Sequence, residues 1–133
     1  MKIFFILFIS IIITACGTPV TQTQIQQATF VEPPSESEAD QQIRDYLSNI
    51  LIDPQSLLLT CSKPLWKGWA RKHTGAQPYF GHILICKVNS KNKFGGYAGP
   101  QPYVFVFNGK DMKVFDFSDI DGSILQNLFG IIR

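Results

Sequence analysis

Apolar residues recur along this chain with changing spacing, and each change marks a boundary. From Ile3 to Ile13 they are nearly continuous, behind a single cation, Lys2. Residues 17–34, GTPVTQTQIQQATFVEPP, are rich in Thr and Gln and show no sustained period, which predicts a flexible tether. The spacing then becomes helical. Ala39, Ile43, Tyr46, Leu47, Ile50 and Leu51 share one face of a helix predicted over 35–51. Ser35 followed by Glu38 matches a capping box, and Asp53-Pro54 ends the helix because the residue before proline resists helical geometry.

Beyond the helix the spacing is that of strands. SLLLTCS, residues 56–62, is short and apolar. YFGHILICKV, residues 79–88, alternates, with His82, Leu84, Cys86 and Val88 on one face and Ile83, Ile85 and Lys87 on the other. PYVFVF and MKVFDF flank NGKD, and Asn-Gly between two such runs is a strong hairpin cue. In the tail, Ile120, Ile124, Leu125, Leu128 and Phe129 return to helical spacing, with Gly130 suited to the C′ position, although Gly122 is a poor helix former. The predicted domain, residues 35–133, is α+β. It has a small antiparallel sheet of about four strands, an N-terminal amphipathic helix and a C-terminal helix, with the helices on one face.

The first apolar run is too short for a membrane-spanning helix, which needs roughly 20 residues. A cation, a short apolar stretch and then small residues is the order of a signal peptide. Ile13-Thr14-Ala15-Cys16 resembles the lipobox of bacterial lipoproteins. The resemblance implies that diacylglycerol joins the Cys16 thiol, that a peptidase seating the small Ala15 removes residues 1–15, and that the new amine is acylated. Each buried CH₂ adds about 0.8 kcal/mol, so two or three acyl chains anchor a protein stably. Gly17, where Asp would imply retention at the inner membrane, points to the outer membrane. The expected layout is a leader over 1–15, a lipidated Cys and tether over 16–34, and a domain facing the periplasm over 35–133.

Charge is unevenly spread. Residues 17–53 carry Glu32, Glu36, Glu38, Asp40, Asp45 and Asp53 against Arg44 alone. Residues 61–113 carry nine bases against Asp111 alone. Such asymmetry suits an anionic partner or attraction within the chain. If Cys16 is lipidated, the two remaining cysteines in an oxidising compartment suggest a Cys61–Cys86 disulfide.

Two stretches are candidate contact sites. VNSKNKFGGYAGPQPY, within residues 88–107, resembles a pattern, V-N-x-K-N-x-F-G-G-Y-x-G-x-x-P-F/Y, in small bacterial secreted and lipid-anchored proteins. The resemblance implies a shared fold and transfers no activity. The residues singled out are Asn89, Lys91, Asn92, Phe94 and Tyr97. The glycines permit backbone angles closed to other residues, the asparagines bond nearby backbone, and Phe94 and Tyr97 are expected to pin the loop onto the sheet. KPLWKGWARKHTG interleaves Trp66 and Trp69 with Lys63, Lys67, Arg71 and Lys72, a combination that suits an anionic polymer. The plainer reading is a core Trp covered by lysine stems. No nucleic-acid-binding motif accompanies these bases. His73, His82, Cys61 and Cys86 match no standard zinc spacing. No G-x-S-x-G, H-E-x-x-H or P-loop occurs, and no catalytic set, metal or cofactor is assigned. Asp116, Asp119 and Asp121 lack the ligand order of a calcium loop and read as solvated surface. The expected role is non-catalytic, binding or structural, within an envelope or secretion assembly. The alternatives are an envelope enzyme or enzyme inhibitor acting on cell-wall or lipid substrates, and an anion-binding surface protein.

Overall fold

The computed structural model describes residues 18–133. The expected leader 1–15 and the expected lipidation site Cys16 lie outside the described residues. No helix among the described residues is long and apolar enough to cross a membrane.

The amphipathic helix forms as its spacing predicts. It is α2, Glu36–Ile50, and both halves of the Ser35–Glu38 capping box are made. Glu36 and Glu38 sit in the first turn, where acids favour the helix dipole. Ala39, Ile43 and Leu47 are fully buried, while Ile50 at the last turn is half exposed.

A mixed α+β fold is present, with six antiparallel strands rather than four. The strands are β1 Leu58–Cys61, β2 Trp66–Ala70, β3 Tyr79–Asn89, β4 Gln101–Asn108, β5 Asp111–Asp116 and β6 Phe129–Ile131. Their order is β5-β4-β3-β2-β6, and β1 also pairs with β3. β1 and β2 divide one edge of β3 between them: β1 takes Cys86–Asn89 and β2 takes Tyr79–Ile83. Cys61 lies directly opposite Cys86, and the two form a disulfide.

The alternation in β3 sorts the core into two layers. Leu84, Cys86 and Val88, with Tyr103, Phe105 and Phe107 of β4, pack under α2. Ile83, Val104, Val106, Phe115 and Phe117 face the other way and are covered by Leu128, Ile120, Leu125 and Phe129 from the tail. The central strand β4 is therefore apolar on both faces, as a doubly covered strand must be. The β4–β5 hairpin closes at Gly109-Lys110, with Gly109 at φ +66°, the left-handed angle that the first position of a two-residue turn demands.

The tail departs from expectation. A C-terminal helix is limited to four residues, α3 Gly122–Leu125, capped by Asp121. Leu128 is then buried, and β6 adds to the outer edge of β2. The apolar positions of the tail do cover the sheet, but on the face opposite α2 rather than the same face; their conformation differs because the backbone groups along β2 need partners, and strand addition supplies them. β2 itself falls in the Trp/Lys segment, for which no strand is predicted. The segment expected to be a flexible tether is not a free coil over its described residues. Residues 22–27 form a helix, α1 Gln22–Gln27, with a Thr21–Gln24 capping box. The chain from Thr18 to Val31 is also hydrogen-bonded to the domain at two places.

Candidate functional site

The candidate residues fall into two groups at opposite ends of β3. At about 3.3 Å per residue, its 11 residues separate them by about 35 Å. One group, with β2, lies at the Tyr79 end. The other is the loop after Asn89.

At the Tyr79 end, alternation along β2 sends Trp66 to one face and Lys67 to the other. Lys67 and Trp69 share the face of His82 and Phe80, their cross-strand neighbours. Phe30 closes over this face, edge-on to Phe80 and His82, and the Lys67 Nζ lies 5.4 Å from its ring centroid. Arg71 is 3% exposed and is withdrawn from any contact surface. Its guanidinium stacks on Trp69 and donates to the carbonyls of Asn127 and Thr18, at 2.9 and 2.8 Å. It thus ties the segment at Thr18 and the tail at Asn127 to the sheet. Trp66 remains 45% exposed, and Lys67 and Lys72 are exposed. His82 Nδ1 is buried with no hydrogen-bond partner. Burial, with the nearby Lys67 charge second, holds its pKa below the ordinary imidazole range, opposed by Glu32. The grouping of His82 and His73 with Cys61 and Cys86 is dissolved by the disulfide.

The loop is more ordered than its glycines suggest. The Asn92 side chain accepts from the amides of Phe94 and Gly96, at 2.9 and 3.3 Å. Asn92 also donates its own amide to Gly96 O and accepts from the Gly95 amide at its carbonyl. Asn89 Oδ1 accepts from the Gly99 amide, and Lys91 pairs with Tyr97 in a β-bridge. Gly95 and Gly99 take φ +82° and +100°. The Lys91 amide donates to Ser56 Oγ, which holds the base of the loop to the turn before β1. Sequence reasoning missed Ser56, because a single contact 35 residues away leaves no local pattern.

Phe94 does not pin the loop to the sheet. It is 84% exposed, and Tyr97 is 47% exposed. The expectation fails because asparagine side chains and backbone, not aromatic packing, hold the loop. The Nζ atoms of Lys91 and Lys93 lie 5.8 and 5.1 Å from the Tyr97 and Phe94 ring centroids. Ion pairs among the described residues join Arg44 to Asp40 and Lys63 to Glu36, so these lysines have no carboxylate partner there. The sequence has no acid between Asp53 and Asp111. Asn89, Lys91, Asn92, Phe94 and Tyr97 therefore form one unit, whereas Trp66, Lys67, Trp69 and Lys72 do not extend it. What the loop can offer is an exposed aromatic on an ordered backbone, flanked by two cations with no carboxylate partner among the described residues. Comparison of the chain with protein-family models, with curated proteins and with solved structures gives no match.

Proposed function

We propose that this is a lipid-anchored protein of the bacterial outer membrane. Its periplasmic domain has a non-catalytic binding or structural role, as an accessory of an envelope or secretion assembly. The leader order and the resemblance of Ile13–Cys16 to a lipobox supply the address. The observation that carries the role is the Asn92-centred loop, which holds Phe94 out of the core and exposed. Display of an aromatic on an ordered loop suits recognition, because little backbone entropy remains to be lost on contact. The mass of the N-terminal peptide tests the address. A diacylglyceryl-modified chain beginning at Cys16 is expected, and a Cys16→Ser protein is expected to leave the membrane fraction. A retained leader would end this reading. An anion-binding surface protein is a second reading, favoured by the unpaired Lys91 and Lys93. It predicts heparin binding that falls steeply with salt.

A further inference from the structure

The tip of the 89–99 loop is built to lose its water. The amides of Phe94, Gly95 and Gly96 all point inward, onto Asn92 Oδ1 or its carbonyl. Desolvating those three donors on contact therefore leaves none unpaired. A Cβ built at Gly95, Gly96 or Gly99 meets nothing within 4 Å, so the tip stands clear of the body. Its complement is an apolar recess with a carboxylate at the rim.

The same chain carries such a recess at its other end. A cleft of about 540 Å³ lies between the segment before α2 and the β4–β5 turn. Val31, Pro33 and Pro34 form its apolar wall, with Glu32, Glu38 and Lys110 around it. Glu38 is engaged, accepting from the Ser35 amide and hydroxyl. Glu32 has no hydrogen bond or ion pair among the described residues. The volume is within the usual range for a ligand-sized site and admits an aromatic side chain. The segment that forms the wall is held in place by the Val31 amide, which donates to Asn108 Oδ1 at 2.9 Å.

We propose that the occupant of this cleft is Phe94 of a second copy of the chain, with Lys93 or Lys91 of that copy meeting Glu32. The contact is head-to-tail. The two surfaces differ, so the assembly either closes as a ring or extends as a filament along the membrane. The inference rests on the loop being the contact element of the proposed function, and it names the partner. With Cys16 anchoring each copy, the contact requires the long axis of β3 to lie along the membrane, because Thr18, two positions after Cys16, is bonded at the cleft end.

The test places a photo-reactive residue at position 94 of the full-length protein in its native membrane, using a mixture of light- and heavy-isotope chains. Adducts mapping to residues 31–38 of the other isotope are expected. An adduct within one chain is excluded by the separation of the two ends. In the purified protein, Phe94→Asp is expected to weaken self-association by about tenfold or more. Lys93→Glu with Lys91→Glu is expected to weaken it as well, and Glu32→Lys to restore part of that loss. A chain that stays monomeric up to high concentration, or position-94 adducts formed with lipid or with a different protein, would overturn the proposal. Loss of membrane attachment with these adducts still present would instead count against the Cys16 anchor alone.

Discussion

Cations lie over aromatic rings at both ends of β3, and the two sets serve opposite ends. At the Tyr79 end, Lys67 meets Phe30 and Arg71 meets Trp69, and other segments close over them. Residues 18–34 arrive from the N-terminus and residues 127–132 from the tail, each bonded to β2 or to the residue after it. At the loop end, Lys91 meets Tyr97 and Lys93 meets Phe94, and nothing among the described residues covers them. Residue type is nearly the same in the two places. What differs is the destination of the backbone hydrogen bonds. Around β2 they reach the tail, and the Arg71 and Asn108 side chains hold the N-terminal segment over the rings. In the loop they close on Asn92, so the aromatic is left outside. A cation–aromatic pair is thus a seal or a display according to where its backbone donors point.

The contrast can be broken from either end, beginning with the largest effect. The Cys61–Cys86 bond closes a loop with a sequence separation of 25 and ties β1 to the strand that carries the display loop. Replacing both cysteines with alanine is expected to cost about 3 kcal/mol in urea unfolding. The Lys91 amide is also expected to exchange faster, since Ser56 then loses its support. A loss under about 1 kcal/mol would show that the loop end holds without the bond.

Arg71→Ala is expected to cost about 2 kcal/mol, because two carbonyls lose a charged donor in a buried setting. Proteolysis should then reach residues 18–34 first. An unchanged digestion pattern would mean that Phe30 and Asn108 hold the segment unaided.

The loop should behave differently. Asn92→Ala removes the one oxygen that accepts from two amides and is expected to cost about 1 kcal/mol, felt as faster exchange of the Phe94 and Gly96 amides. Phe94→Ala should change stability by less than about 0.5 kcal/mol, as befits an exposed side chain that packs on nothing. A larger loss would place Phe94 in the fold's own packing and remove the contrast.

The smallest expected effect is a pH dependence at the sealed end. The His82 pKa is lowered in the folded state by burial, so the unfolded chain takes up the proton first. Stability should therefore fall as pH drops from the unfolded value, near 6.5, toward the lower folded one, and should be flat above it. His82→Gln should remove that part of the acid slope, read from urea midpoints at pH 7.5 and 5.0. An identical slope in both proteins would shift the cause to other groups.

Several features are legible in the residues alone. Periods of 3.6 and 2 placed α2 and both faces of β3, since burying one face is a local constraint that repeats along an element. The capping box at Ser35–Glu38 is equally local. Cysteine arithmetic pointed to the Cys61–Cys86 bridge, and the Gly/Asn cluster marked the loop. Three outcomes required the assembled sheet. Helical spacing in the tail became a strand because the edge of β2 offered unpaired backbone groups. Arg71 turned from a surface cation into a buried clasp because Thr18 and Asn127 converge on it. Phe94 stayed exposed because Asn92 had already taken up the loop's donors. Each depends on groups far apart in the chain meeting, or failing to meet, and no spacing rule within one segment carries that information.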